Sequence, residues 1–231
     1  MKTQNRWLRA LRAAFPHTVP IMTLIVLGMA YGVLMATHGY NAFWSTLCSV
    51  VIYAGSMQYA LIPLLTSVFA PVQAFCLALM VNARHLFYGV SMLQKYKGLG
   101  WVRPFAIFAM TDETFSVACA NDPPEGVEPK LFYFWISLLD LCYWTSGTLL
   151  GGLAGSILPF DTTGLDFSMT ALFVVLLLEQ LLKGKTQCIS GLIGLGCTAL
   201  SLLAFGAEDL VLPAMVLILA AILAGRRKLC T

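Results

Sequence analysis

Four charged side chains lie inside stretches of the sequence that are otherwise apolar. They are Arg84 within 71–92, Asp112 and Glu113 within 104–120, and Asp140 within 132–157. A charge at the centre of a membrane-spanning helix costs about 2.5–3.5 kcal/mol on insertion scales. Such residues therefore usually pair with another polar group or serve a function. We expect these groups to line a polar pathway in the middle of a membrane. The alternative is that they only lock helices together.

The spacing of two of these charges predicts a contact. Arg84 precedes Gly98, the midpoint of the connecting loop, by as many residues as Asp112 follows it. In an antiparallel helix hairpin, equal distance from the turn means equal depth, so Arg84 and Asp112 can form an ion pair. Adjacent residues differ by about 100° around a helix, so Glu113 cannot share that partner. It needs a proton, a substrate amine or a neighbouring helix.

His85 follows Arg84 directly and is a candidate proton carrier, because the ordinary pKa of histidine is near 6.5. A packing role is the alternative for this side chain. The predicted proton-coupling residues are therefore His85, Asp112 and Glu113.

A second polar feature interrupts the long apolar stretch 43–66. Gly55, Ser56 and Gln58 lie in its middle, and a Gly–Ser pair favours a break in a helix. Broken helices expose backbone N–H and C=O groups where they line a cavity, and in transporters these groups bind the solute. We therefore predict a broken helix near residues 53–59; a kink packed by its neighbours is the alternative. The predicted substrate-binding residues are Tyr53, Gly55, Ser56, Gln58, Asn82, Arg84, Tyr88, Asp112 and Glu113.

The elements that position these residues must be membrane helices. The chain has 231 residues, of which 59% are hydrophobic and only 11% charged, against about 25% charged in soluble domains. Its mean hydropathy is +0.81. A soluble enzyme of this composition could not cover its surface with polar groups. A disordered or nucleic-acid-binding chain needs far more charge. The predicted fold class is an all-α, polytopic transmembrane helix bundle forming a single transmembrane domain over 1–231.

We predict about eight spans, with seven to nine left open, since a spanning helix needs roughly 20 mostly apolar residues. The spans are 19–36, 43–66, 71–92, 104–120, 132–157, 168–182, 187–205 and 209–225. Lys and Arg favour the cytoplasmic side, which predicts that both termini are cytoplasmic. That arrangement leaves Lys95, Lys97 and Arg103 outside as a misfit. An extra crossing within 43–92 would move them inside.

Other motifs predict packing rather than chemistry. Glycines four residues apart, at Gly28 and Gly32 and at Gly147, Gly151 and Gly155, allow helix backbones to approach closely. We expect them to pack helices within the chain; a subunit interface or sliding surface is the alternative. The seven cysteines include no CxxC pair. We predict no metal, no cofactor and no ATP site.

Three motifs, in this order, resemble those of the AzlC family, the large subunit of bacterial branched-chain amino acid exporters. They are Tyr53-Ala54-Gly55-Ser56-Met57-Gln58, Arg84-His85-Leu86-Phe87-Tyr88-Gly89 and Thr111-Asp112-Glu113-Thr114-Phe115. The resemblance implies a permease that exports leucine, isoleucine and valine, with methionine as a further candidate, across the bacterial inner membrane. It also implies a small hydrophobic membrane partner of the AzlD type, and no ATPase.

These residues suggest a transport mechanism. The substrate carboxylate would bind Arg84 or freed backbone N–H groups, and its ammonium would face Asp112 or Glu113. Its side chain would rest against aromatic residues, of which the candidates are Tyr53, Tyr59, Phe87, Tyr88 and Phe115. Proton antiport through the acids would drive export, and the helices would rock about the glycine ridges.

Other functions are less well supported by the sequence. The alternatives are a channel or facilitator for a small polar solute, and a membrane scaffold that transports nothing. An enzyme is not predicted, because no nucleophile and base stand at a useful spacing. Besides the substrate and the AzlD-type subunit, we expect contact with membrane lipid and none with nucleic acid. A homo-oligomer is left open.

Overall fold

The computed structural model describes residues 2–66, 71–157, 174–175, 177–178, 181–182, 184–206 and 210–229. This part of the chain is helical with short connections and contains no strand, so the all-α prediction is confirmed. The predicted span 168–182 lies mostly outside the described residues.

The first five helices along the chain are α1 (Lys2–Thr18), α2 (Leu24–Thr37), α3 (Ala42–Val51), α4 (Gly55–Thr66) and α5 (Pro71–Met92), with a 3-10 turn at Val19–Thr23 between α1 and α2. The next three are α6 (Val102–Phe108), α7 (Asp112–Ala120) and α8 (Pro129–Ile157). The helices Lys185–Phe205 and Val211–Leu229 come later in the chain.

Three helices among the described residues are long and apolar enough to cross a membrane: Arg6–Thr37, Pro71–Met92 and Cys188–Phe205. α8 is longer than two of these, at 29 residues, but it is not among the candidate spans. The predicted count of about eight spans is therefore not confirmed.

The chain divides into two compact units. The first comprises residues 1–68 and 81–162, and the second comprises residues 69–80 and 163–231. Within the second unit, the helices Lys185–Phe205 and Val211–Leu229 pack against each other. All the predicted site residues belong to the first unit.

In the first unit, α2 and α8 pack backbone against backbone. A Cβ atom added to Gly155 would lie 2.8 Å from the Cβ of Ala36, and one added to Gly147 would collide with the carbonyl group of Ile25. The order of these contacts shows that the two helices run parallel. The same close approach is made at Gly28, Gly32 and Gly151. Internal helix packing, the role expected for these glycines, is confirmed.

The predicted span 43–66 turns back on itself. The Tyr40 hydroxyl, just before α3, donates to the Leu65 carbonyl oxygen near the end of α4 at 3.1 Å. An unbroken helix would separate these residues by roughly 37 Å. Gln58 Nε2 also donates to Ser49 Oγ across the two helices at 3.0 Å. Segment 43–66 is thus a hairpin of two half-helices, which we call hairpin A, and the prediction that it crosses is wrong.

The predicted broken helix is confirmed, although its break comes earlier than expected. α3 ends at Val51 and α4 begins at Gly55, so the break covers residues 52–54. Tyr53 lies at its tip with φ of 42°, in the left-handed region that few non-glycine residues adopt. A Cβ on Gly55 would lie 3.1 Å from the Trp144 ring. Gly55 therefore marks a close packing contact at the start of α4.

The predicted span 104–120 contains a second break, which the sequence reasoning did not predict. α6 and α7 are separated by residues 109–111. Thr111 is the N-cap of α7, because its side-chain oxygen accepts a hydrogen bond from the Thr114 backbone N–H at 3.2 Å. Asp112 and Glu113 then occupy the first turn, where acids complement the helix dipole.

This second segment also returns to the end from which it starts. The ring of Trp101, just before α6, lies 5.8 Å from the ring of Phe134 on α8. After α7, the Asn121 carbonyl oxygen accepts a hydrogen bond at 3.5 Å from the hydroxyl of Tyr133, which directly precedes Phe134. We call this pair of half-helices hairpin B. The prediction that 104–120 crosses is therefore wrong as well.

The two hairpins approach the middle of α8 from opposite ends. Hairpin A contacts the C-terminal half of α8, where Ser49 Oγ donates to Thr148 Oγ1 at 2.9 Å. Hairpin B contacts the N-terminal half, at Tyr133 and Phe134. Their tips meet, since the ring of Tyr53 lies 6.2 Å from that of Phe108.

Because hairpin A returns, the predicted topology changes. The ring of Trp7 on α1 lies 6.3 Å from the ring of Trp101, and Lys95 Nζ lies 3.0 Å from Asp122 Oδ1. The basic loop after α5 is therefore at the same end of the first unit as α1. The prediction that placed Lys95, Lys97 and Arg103 opposite the N-terminal basic residues is wrong. With these residues at the same end as α1, the first unit agrees with the rule that Lys and Arg gather on one side of a membrane.

Ion pairs hold α1 to the start of α8 at this basic end. Arg6 pairs with Glu128, and Lys130 Nζ lies 2.5 Å from Glu128 Oε1. The hydrogen bond from Lys130 and the charge of Arg6 keep the pKa of Glu128 below its ordinary value. The Arg6–Glu128 pair thus adds a surface contact to the apolar packing of α1, in which Ala10 and Ala14 are fully buried.

Candidate functional site

Arg84, on α5, joins the N-terminal ends of two half-helices. Its Nη1 lies 2.6 Å from Asp112 Oδ2 in the first turn of α7. Its Nη2 donates to Ser56 Oγ in the first turn of α4 at 2.7 Å. The predicted contact between Arg84 and Asp112 is confirmed. The two side chains are 31% and 29% exposed, so the pair is open on one side.

Two buried atoms of this ion pair have no hydrogen-bond partner among the described residues. They are Arg84 Nε, a donor, and Asp112 Oδ1, an acceptor. A buried polar atom without a partner costs about 1–3 kcal/mol. The pair therefore leaves one donor and one acceptor without a partner at the site.

The N-terminus of α4 supplies further donors. The first backbone bond into this helix runs from Gln58 N to Ala54 O at 2.8 Å. The preceding N–H groups, of Gly55, Ser56 and Met57, have no backbone acceptor in the described part of the chain. Such groups, together with the positive end of the helix dipole, favour an anion. No acid occupies the first turn of α4, in contrast to α7.

Aromatic rings lie beside the ion pair. Tyr88, one turn after Arg84, stacks on Phe115 of α7 with ring centroids 4.4 Å apart. The His85 ring lies 5.6 Å from that of Tyr88, and its Nδ1 lies 3.2 Å from the Asn82 carbonyl oxygen. The stacked rings of Tyr88 and Phe115 provide an apolar surface for an aliphatic group.

The two adjacent acids of α7 point to different neighbours, as their angle around the helix predicts. Asp112 pairs with Arg84, whereas Glu113 is half-buried and forms no ion pair among the described residues. Glu113 directly precedes Thr114, whose hydroxyl bonds Asp140 in the interior of the bundle.

Asp140, on α8, lies completely buried where the two hairpin tips meet. Its Oδ2 accepts hydrogen bonds from Thr111 Oγ1 at 3.0 Å and from Thr114 Oγ1. We expected Asp140 to line a polar pathway, but we did not include it among the site residues. A signal was available, since Thr111 followed by two acids is typical of a helix N-terminus. A helix that starts at Thr111 implies a break before it, within the predicted span 104–120.

Gln58 lies away from the ion pair and is fully buried. Its Nε2 donates to Ser49 Oγ at 3.0 Å, and its Oε1 accepts from Trp144 Nε1 at 2.9 Å. The side-chain amide thus links α3, α4 and α8. Its contacts favour a packing role over the predicted substrate contact.

Some of the other predicted residues lie at the site, and some lie elsewhere. Tyr53 is near Asp140 at the tip of hairpin A. Asn82 precedes Arg84 by two residues, so it lies on nearly the opposite side of α5. Tyr59 donates its hydroxyl to the Leu27 carbonyl oxygen at 2.8 Å, inside the bundle. Phe87 is 73% exposed.

Comparison with known proteins connects this arrangement to one family. The family model described as AzlC protein matches residues 20–158, which contain both hairpins and α8. The chain belongs to the AzlC family. The resemblance of the three motifs is thereby confirmed.

Individual relatives extend the match over nearly the whole chain. The branched-chain amino acid transport protein AzlC of Bacillus subtilis (strain 168) is 43% identical over 230 residues, covering 99% of this chain and 90% of the relative. An uncharacterized membrane protein of Helicobacter pylori (strain ATCC 700392 / 26695) is 38% identical, with coverages of 97% and 99%. The inner membrane protein YgaZ of Escherichia coli (strain K12) is 26% identical, with coverages of 74% and 72%. No solved structure gives a significant match.

Membership of the AzlC family gives this chain a role in membrane transport. The family is one of transport proteins and not of enzymes. Apolar helices in the chain and relatives named as membrane proteins agree with that role.

Proposed function

We propose that this chain is the large subunit of an exporter that moves branched-chain amino acids out across the bacterial inner membrane. Leucine, isoleucine and valine are the expected substrates, with methionine as a further candidate. The observation that supports this most directly is the Arg84–Asp112 pair, with its free donor and free acceptor. The name of the Bacillus subtilis relative supports the class of substrate.

An amino acid zwitterion fits these two atoms. Its carboxylate would accept from Arg84 Nε and from the free N–H groups at the start of α4, and its ammonium would donate to Asp112 Oδ1. The aliphatic side chain would lie against the stacked rings of Tyr88 and Phe115. Half-helix N-termini serve the same purpose for carboxylates in other transporters.

The moving parts would be the hairpins. At the α2–α8 interface the two helices pack backbone against backbone, so that even a methyl group would collide there. The binding groups, in contrast, lie in the first turns of α4 and α7, one in each hairpin. Displacement of one hairpin tip past the other would expose the substrate first to one side of the membrane and then to the other. Proton antiport would drive the cycle outward.

The remaining features follow from the family and from charge. A small hydrophobic subunit of the AzlD type would complete the exporter. The basic end of the first unit, which holds α1 and Lys95, would face the cytoplasm. Both termini would then be cytoplasmic.

The test is counterflow in proteoliposomes containing the chain, with and without its small partner. Vesicles loaded with unlabelled leucine should accumulate labelled leucine from outside. Leucine methyl ester lacks the carboxylate and N-acetyl-leucine lacks the ammonium, so neither should exchange. Exchange of both derivatives at the rate of leucine would contradict the binding mode. A channel would equilibrate the label without transient accumulation.

A further inference from the structure

The carboxylate of Asp140 has no cationic partner. It is completely buried, and no ion pair involves it among the described residues. Arg84 is bonded to Asp112 and Ser56 instead. The titratable groups that face Asp140 in the described part of the chain are Tyr53, from the tip of hairpin A, and Glu113, from α7. An ionised carboxylate in such surroundings is strongly disfavoured.

The hydrogen bonds around this carboxylate are one-sided. Both threonine hydroxyls, of Thr111 and Thr114, are directed at Oδ2. The other oxygen, Oδ1, is buried without a partner, and so is the hydroxyl of the neighbouring Tyr53. A hydrogen bond between these two atoms could form in either direction: Tyr53 could donate to an ionised Oδ1, or a protonated Oδ1 could donate to the Tyr53 oxygen. Only the second arrangement also removes the buried charge.

We propose that Asp140 is the residue that takes up and releases the transported proton, with Tyr53 as its hydrogen-bond partner and Glu113 as the acid that relays the proton. This inference rests on the proposed export function and moves the central coupling role from His85 and Asp112 to α8. The step is a proton transfer alone: Oδ1 gains a proton arriving through Glu113 and later returns it to water.

The position of Asp140 explains how protonation would be linked to substrate. The tip of hairpin A carries Tyr53 and, three residues later, Ser56, which bonds Arg84. The tip of hairpin B carries Thr111, which bonds Asp140, and then Asp112, which pairs with Arg84. The proton site and the substrate site are therefore connected through the same two short turns.

A direct test is infrared spectroscopy of the purified chain in lipid, without substrate. A protonated carboxyl group gives a C=O stretching band distinct from that of a carboxylate. We expect this band in the wild type, its loss in Asp140→Asn, and its retention in Asp122→Asn, a control acid whose side chain is 79% exposed. Tyr53→Phe should shift the band, because the partner hydroxyl is removed. A band unchanged in Asp140→Asn would overturn the proposal.

Transport gives the second test. In proteoliposomes, a pH gradient should drive leucine export by the wild type and by Asp122→Asn, and at least tenfold less by Asp140→Asn. Unchanged pH-driven export in Asp140→Asn would also overturn the proposal, as would export driven by a sodium gradient instead. If Asp140→Asn is poorly folded, the band shift in Tyr53→Phe decides. Absence of leucine exchange by the wild type would refute the proposed function but leave the infrared result standing.

Discussion

Neutralising both members of the Arg84–Asp112 pair separates a transport role from a purely structural one. Arg84→Gln alone leaves the Asp112 carboxylate without its cation, and Asp112→Asn alone leaves a guanidinium without its anion. The double variant leaves neither charge. If the pair only locks helices together, the double variant should both fold and transport. If the pair binds substrate, the double variant should fold but fail to transport.

The exposure of the pair sets the size of the effect. Breaking a fully buried ion pair costs about 3–5 kcal/mol, whereas a surface pair contributes about 0–1 kcal/mol. With side chains 31% and 29% exposed, this pair lies between the two cases. We expect about 2 kcal/mol of destabilisation in each single variant. The double variant should recover more than half of it. If losing the contact of leucine with Arg84 or with Asp112 costs a similar free energy, leucine binding should weaken roughly 30-fold.

Thermal unfolding of the purified variants measures the first quantity, and leucine counterflow measures the second. The control is Asp122→Asn, which removes an acid that is 79% exposed and pairs with Lys95 at 3.0 Å. Lys95 keeps its hydrogen bonds to the Ala118 and Cys119 carbonyl oxygens, so this variant should change stability by less than about 1 kcal/mol and leave counterflow unchanged. Wild-type counterflow in the Arg84→Gln/Asp112→Asn variant would refute the reasoning and leave the pair with a structural role only.

Three further predictions follow from single contacts. Ser56→Ala removes the acceptor of Arg84 Nη2, 2.7 Å away, and should weaken leucine binding several-fold in a thermal-shift titration while the protein stays folded; unchanged affinity would contradict this. Gly151→Ala places a methyl group into the backbone of α2 and should destabilise the bundle by about 1–3 kcal/mol, whereas Gly89→Ala, with open space around it, should not. Glu128→Gln should lower the melting temperature slightly at neutral pH. The pKa of Glu128 is lowered in the folded protein, so its stabilisation is present above the unfolded pKa and is lost as the pH falls through the folded pKa. The melting temperatures of the wild type and Glu128→Gln should therefore converge in acid. A difference that stays constant with pH would contradict the stabilising role of the Glu128 carboxylate.

The contact between Arg84 and Asp112 could be predicted because helix geometry converts sequence distance into depth. That argument needs only the position of one turn, and it held although a break precedes α7. The hairpins could not be predicted in the same way. Hydropathy and length are the same for a continuous apolar stretch whether it crosses or returns, so 43–66 and 104–120 satisfied the criterion for spans. The direction of the chain is set instead by long-range contacts such as Tyr40 to Leu65.

Gln58 and Asp140 show why polarity alone did not assign the site. Both are fully buried polar groups in otherwise apolar helices, yet the sequence predicted only Gln58 as a binding residue. Every hydrogen-bonding contact described for the Gln58 amide is to a neighbouring helix, whereas Asp140 keeps one oxygen without a partner. The hydrogen-bond partners of a buried polar residue depend on which helices surround it, and the sequence does not give those neighbours.

The different chemistry of the two half-helix N-termini gives the site its direction. α7 begins with Asp112 and Glu113, whose negative charges offset the positive end of the helix dipole and would repel a carboxylate. α4 begins with Gly55 and Ser56, which leave its dipole and its N–H groups free. Under the proposed function, an amino acid would therefore bind between them in one orientation, with its carboxylate toward hairpin A and its ammonium toward hairpin B. Each end of the substrate would be held by a different hairpin, so its arrival would draw together the two tips that surround Asp140. Binding at the ion pair and protonation at α8 would thus act on one shared structural element.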